Sequence, residues 1–432
     1  MIYPEFLKEN DLIGVTAPSA GLDEGHLVGY LKSLEHFHAR GWQVTETANV
    51  RLPDLPSSSG PQRAKELKGL SQDPRVKMIW CAAGGDFLVE MLPDTDFAAL
   101  AAHPKWLQGY SDPTGLLFPL TTKWDVATIY GLNAGGFDME TLHPALKNSL
   151  DLLSGHIPVQ HSFDRWQPFD EAPQPDGGYN MTRPVCWQTP CGPIEASGRL
   201  LGGCLDVIDI LRGTDFIDVP GFVKRYENDG VIWYFDVFAM TAEQVFYSLW
   251  SMKMQGWFRT AKAFLFGRVM FPGGMMLNYE QAVRRALGDV PFALEADIGH
   301  VKPCFTLING AVGHIRVENG RAVLGMELKY WKTNFWTPPG LTPGRPNMRP
   351  MWPPARRPGI IRSPAIPNCT IRFLTSSTPG RESPPWIWAA APESLPLVCW
   401  RPAIRSPGWT FPIICWLPPA KTPPALPLCR PN

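Results

Sequence analysis

The strongest constraint on this chain is an alternation in its first 110 residues. Short apolar runs take turns with segments of helical periodicity, and each run stops at residues that end a strand. Residues 11–17 form such a run and stop at Pro18-Ser19. Leu27, Val28, Leu31, Leu34 and Phe37 then recur at helical spacing until Gly41. Residues 42–45 read as the next strand, 57–60 as a loop, and 61–70 as a helix with Pro near its start. Residues 76–83 form a third strand ending at Gly84-Gly85, and 106–110 form another that runs into Ser111 and a further helix. Strands separated by helices cannot pair as hairpins. They imply a parallel sheet covered on both faces, with ligands at the carboxyl ends of the strands. Gly84-Gly85 and Ser111 stand at such ends.

The expected fold class is α/β, with a flavodoxin-like parallel-sheet domain over residues 1–150. A linker over 151–164 leads to a smaller β-rich domain over 165–330, with the active site at the interface of the two. In the second domain, 176–178 and 202–203 are turn signals and 230–235 is an aromatic-rich strand. Residues 241–254 form a helix that Thr241 can cap, with Val245, Leu249 and Met252 on one face. Further strands are expected at 261–269, 305–307 and 322–324.

Residues 331–432 are different material. They hold 24 of the 46 prolines and 8 of the 17 tryptophans, with 12 Lys and Arg against two acids and no Asp. Proline at this density removes backbone donors and breaks both helix and ladder. A Trp, Arg and Pro bias without periodicity reads as translation in a wrong reading frame. The rival reading is a disordered, Pro-rich interaction tail.

Formal net charge is zero over the whole chain, which argues against nucleic acid or an anionic membrane as main partner. No secretory signal is evident after Met1, and no apolar run reaches membrane-spanning length. Nine scattered cysteines, an odd number, suggest reduced thiols and a cytoplasmic location. Cys186 and Cys191 lack a second ligand pair at zinc spacing, so no metal site is assigned.

A serine becomes a nucleophile when it is exposed, deprotonated and faced by oxyanion donors. Gly109-Tyr110-Ser111 at a strand end permits the tight turn of a nucleophile elbow. The amide of Asp112 would be one oxyanion donor, and Gly84-Gly85 could supply the second. The rival reading makes Ser111-Asp112-Pro113 a helix cap. Of nine histidines, His300 stands in a loop between two strand-like runs and is one candidate base among them.

Gly109-Tyr110-Ser111-Asp112-Pro113-Thr114, followed by Tyr130-Gly131-Leu132-Asn133, resembles the LD-carboxypeptidase family, which includes the microcin C self-immunity peptidases. Residues 11–19 resemble its opening strand, Ala82-Ala83-Gly84-Gly85 its Gly-Gly loop, and Gly202-Gly203-Cys204-Leu205 with Leu211-Arg212-Gly213-Thr214 its second-domain signature. Gly299-His300-Val301-Lys302-Pro303 resembles its histidine loop.

The resemblance implies a Ser-acid-His triad of Ser111, Asp236 and His300, with Gly85 and Asp112 amides as the oxyanion hole and no cofactor. It also implies a small peptide or muropeptide substrate and a homodimer. The family's acid is Glu, so Asp236 is shorter by one bond, about 1.5 Å, which can lose the hydrogen bond to His300. Without the resemblance, Asp236 reads as a strand-end cap. The family often shows Arg-Gly-Gly-Tyr-Gly where this chain has Ala83-Gly84-Gly85-Asp86-Phe87. Gly84, Trp166 and Trp187 are substrate-binding candidates. The tryptophans would stack on a nucleotide base as in the microcin-immunity branch, or else pack beneath their loop.

The activity implied first is hydrolysis of an L,D-peptide bond through an acyl-enzyme, releasing terminal D-Ala from murein tetrapeptide. Cleavage of a peptidyl or aminoacyl nucleotide is the alternative. A non-catalytic peptide-binding relative is the reading from a different class.

Overall fold

The computed structural model of the chain describes residues 1–174 and 177–329. The tail over 331–432, with its two readings, lies outside the described residues. The first region carries β1 (Leu12–Thr16), β2 (Gln43–Glu46), β3 (Val76–Cys81), β4 (Trp106–Gly109) and β5 (Thr128–Tyr130). Its helices are α1 (Glu24–Ala39), α2 (Gly60–Gln72), α3 (Phe97–Ala102), α4 (Thr114–Thr122) and α5 (Pro144–Leu153). The five strands are parallel in the order β2-β1-β3-β4-β5, the flavodoxin-like winding. β3 reads Val-Lys-Met-Ile-Trp-Cys and buries all but Lys77, as a strand covered on both faces must. Phe37 of α1 stacks on Trp80 of β3 at 4.7 Å between ring centres, and Phe137 meets both rings edge-on.

The chain then adds β6 (Gln160–His161), a short ribbon of β7 (Arg165–Trp166) and β8 (Arg183–Pro184), and the long β9 (Ile194–Cys204). Next come β10 (Val231–Asp236), β11 (Ala261–Gly267), β12 (Phe292–Ala296), β13 (Leu307–Asn309), β14 (Val312–Glu318) and β15 (Arg321–Glu327). The second sheet runs β12-β11-β10-β9-β14-β15-β6. Strands β9 to β12 are parallel and are connected through α6 (Leu205–Leu211), α7 (Val219–Arg225), α8 (Ala242–Met254) and α9 (Tyr279–Leu287). The other half is antiparallel. Thr241 caps α8 in a reciprocal box with Gln244.

Two expectations need correcting. Gly202 and Gly203 are not a turn but the end of β9. A Cβ at Gly202 would lie 1.7 Å from the Tyr234 carbonyl oxygen, and one at Gly203 would lie 2.7 Å from Thr114 Cγ2. Here glycine serves close approach rather than chain reversal. The strand expected at 305–307 falls at Leu307–Asn309 and joins the first sheet, antiparallel to β5. The chain thus returns to the first sheet after building most of the second. Thr114, at the start of α4, accepts a hydrogen bond from the Cys204 amide at 3.1 Å and fastens the elbow to the end of β9. Among the described residues, no helix is long and apolar enough to cross a membrane. Cys81, Cys191, Cys204 and Cys304 are free thiols.

Candidate active site

β4 is buried throughout and delivers the chain to the elbow. A Cβ at Gly109 would press 2.7 Å from Pro113 Cβ, so the turn needs glycine there. Ser111 itself adopts φ +67, a left-handed conformation rare for serine and typical of a nucleophile elbow. The helix that follows has Pro113 as its N-cap and no side-chain cap hydrogen bond. Ser111 therefore does not cap α4. Its Oγ lies 2.9 Å from His300 Nε2.

His300 follows β12 in a loop, and Asp236 closes β10 with its side chain fully buried. Gly299 brings them together. It sits at φ +91, and a Cβ there would fall 2.0 Å from Asp236 Oδ1. Oδ1 accepts from the His300 amide at 3.3 Å. Oδ2 lies 2.7 Å from His300 Nδ1 and accepts from the Tyr130 hydroxyl at 2.5 Å. The 2.7 Å approach of Nδ1 to Oδ2 pairs the ring with the acid. The short acid therefore still reaches the ring. Burial of the imidazole disfavours its charged form, yet the Asp236 carboxylate outweighs this and holds the His300 pKa above the ordinary value.

The Gly-Gly loop lies against the serine. A Cβ at Gly84 would be 3.2 Å from Ser111 Cβ, and Gly85 sits at φ +133, open only to glycine. The Asp112 side chain does more than its position in the motif suggested. It is buried and accepts from Ser19 Oγ at 2.5 Å and from the Leu88 amide at 3.0 Å. It thereby ties the turn after β1 and the segment 84–88 to the elbow. Burial pushes its carboxyl up to about 6, against the pull of those two donors.

Two profiles from one family match the chain: LD-carboxypeptidase N-terminal domain over residues 13–131, and LD-carboxypeptidase C-terminal domain over 197–315. The chain belongs to the LD-carboxypeptidase family. A protein of Treponema pallidum (strain Nichols) named as a carboxypeptidase is 26% identical over 338 residues, covering 74% of this chain and 94% of that protein. The murein tetrapeptide carboxypeptidase of Pseudomonas aeruginosa is 26% identical over 203 residues, 44% of this chain and 64% of that one. Among solved structures, an MccF-like protein from Bacillus anthracis str. Ames aligns with TM-score 0.62 at 21% identity, over 75% of this chain and 99% of its own, a likeness of fold.

In this LD-carboxypeptidase family member the serine and histidine open on a cavity of about 1020 Å³, also lined by Gly84, Gly85, Phe238 and Lys302. Neither tryptophan candidate lines it. Trp187 is 1% exposed and donates to Asp297 Oδ2 at 3.1 Å, so it has no free face for a ligand. Trp166 donates to the Pro184 carbonyl at 3.1 Å, with the Arg268 guanidinium 5.3 Å from its ring centre. Trp187 packs beneath its loop, whereas Trp166 is half-buried. No group of His, Cys, Asp or Glu among the described residues could hold a metal ion. Tyr130 and Asn133 were assigned no role in advance. Asn133 Oδ1 accepts from the Tyr110 amide at 3.2 Å and braces the elbow. Their only signal was their place in the Tyr-Gly-Leu-Asn motif.

Proposed function

We propose that this LD-carboxypeptidase family member is a serine peptidase that hydrolyses an L,D-peptide bond, releasing terminal D-Ala from murein tetrapeptide. The observation carrying this reading is Ser111 Oγ at 2.9 Å from His300 Nε2, with the Asp236 carboxylate 2.7 Å behind the ring. His300 takes the serine proton as Oγ attacks the carbonyl carbon, and returns it to the leaving amine. Water, deprotonated by the same ring, then releases the acyl group from Ser111. The amides of Asp112 and Gly85 face the oxyanion in this scheme. No cofactor enters it. The placement of Trp187 in the core favours a peptide over a nucleotide, because one of the two stacking candidates has no face to offer. The site of action in this reading is the cytoplasm, during wall recycling, and the assembly a homodimer.

The test is kinetic. The full chain is assayed with an L,D-tetrapeptide and with an aminoacyl sulfamoyl adenylate, beside Ser111→Ala. D-Ala release from the tetrapeptide, lost in the variant, is the expected result. Cleavage of the adenylate alone selects the nucleotide alternative. Binding of the tetrapeptide without cleavage selects the non-catalytic relative and overturns the enzyme reading.

A further inference from the structure

One oxygen atom touches both halves of the triad. Tyr130 closes β5 and is 2% exposed. Its hydroxyl donates to Asp236 Oδ2 at 2.5 Å and accepts from the Ser111 amide at 3.3 Å. It therefore joins the acid from the second sheet to the backbone of the left-handed serine beside the first. Tyr110 meets the ring edge-on at 6.4 Å and Tyr234 packs against it at 5.7 Å, so the hydroxyl has little freedom. Burial, and then the neighbouring carboxylate, push the phenol far above its ordinary range. It stays protonated and acts as a donor to the acid.

Resting on the serine-peptidase reading above, we propose that Tyr130 is a positioning residue of the triad, setting the plane of the Asp236 carboxylate and the seat of Ser111 together. The outer torsion of an aspartate side chain is broad, so a carboxylate rotates unless both oxygens are engaged. His300 Nδ1 and the Tyr130 hydroxyl share Oδ2, so the ring alone does not set the carboxylate plane. Besides the ring, the His300 amide donates to Oδ1 and the Tyr130 hydroxyl to Oδ2. The same hydroxyl receives the Ser111 amide, which helps hold the elbow at φ +67. By drawing charge from Oδ2 it also tempers the pull of Asp236 on the imidazolium.

Tyr130→Phe keeps the ring and removes only the oxygen. We expect kcat to fall about tenfold to a hundredfold, the range for one hydrogen bond to a charged group, with KM little changed. The acid limb of kcat/KM should move up by roughly half a pH unit, since an unshared carboxylate holds the imidazolium more strongly. A merely structural tyrosine would lower the melting temperature and the active fraction without moving that limb. If Tyr130→Phe does not fold, 3,5-difluorotyrosine at this position keeps ring and hydroxyl but donates more strongly, and the limb should move down. Unchanged kcat and an unmoved limb in the folded variant overturn the proposal. Ser111→Ala is run in parallel. Full turnover by that variant overturns the peptidase reading and this inference with it. An inactive Ser111→Ala beside a Tyr130→Phe of native behaviour removes the role of Tyr130 alone.

Discussion

The nucleophile and its base–acid pair are built in different ways. The turn that carries Ser111 is shaped by neighbours in sequence, a buried β4, Gly109 packed on Pro113 and a single left-handed residue before α4, and is then braced from outside by Asn133, Tyr130 and Cys204. Asp236 and His300 come from separate elements, 64 residues apart, and meet because Gly299 lets one backbone approach the other's carboxylate. His300 is in turn 189 residues from the serine it serves. A local turn tolerates change outside it. A junction of distant elements depends on every spacing between them. The elbow should therefore be the sturdier half and the acid–histidine junction the more easily broken.

The largest effect should come from His300→Ala, which leaves the elbow intact and removes the base. kcat/KM should fall by about 10⁴-fold or more, and the melting temperature should drop as well, since the buried Asp236 carboxylate loses its partner. Gly299→Ala tests the junction itself. Its Cβ would meet Asp236 Oδ1 at 2.0 Å from a φ of +91, so both the melting temperature and kcat should drop, the latter about a hundredfold. Native kinetics from this variant would mean that Asp236 and His300 can separate without cost.

Asp236→Glu restores the family's residue and sharpens the comparison. The carboxylate is fully buried and Gly299 packs against it, so an added methylene is overpacked by about 1–3 kcal/mol. Lower stability without a gain in kcat is expected. A rise in kcat/KM would show that the junction still has room for the longer acid.

On the elbow side, Asp112 gives a pH signature. Its folded pKa of about 6 lies above the ordinary 3.8, so the folded chain binds the proton more tightly than the unfolded one. Its contribution to stability is largest below 3.8 and is lost as pH rises towards about 6. Asp112→Asn should remove that dependence, and its melting temperature relative to the native chain should improve across the same window. A constant difference across that window would contradict this. The smallest effect is expected from Trp187→Phe. Loss of its hydrogen bond to Asp297 should cost about 1–3 kcal/mol of stability and leave KM unchanged.

The same division governs what could be read from sequence. Alternating runs were enough for β1 to β4 of the first sheet, because each is written in contiguous apolar residues, but β5 was not read from them. Ser111 and the Gly-Gly loop were legible as strand-end features, while His300 was one histidine of nine until the family resemblance singled it out. Asp236 was located only through the family resemblance, since nothing local separates it from a strand-end cap. What stayed hidden depends on neighbours distant in sequence. Gly202-Gly203 reads as a turn until Tyr234 and Thr114 are seen against it. β13 returns to the first sheet through a pairing no periodicity predicts. The Asp112 carboxylate finds Ser19 across 93 residues, and Tyr130 finds Asp236 across 106. Trp187 reads either as a stacking face or as a residue packed beneath its loop, and Asp297 holds it in the core.

The central claim is that Ser111 is activated by His300. It is tested most directly by exposing the full chain to a fluorophosphonate and mapping the adduct by mass spectrometry, beside His300→Ala. A single adduct on Ser111, lost or greatly slowed in the variant, is the predicted result. An unlabelled Ser111, or labelling indifferent to His300, would contradict the account.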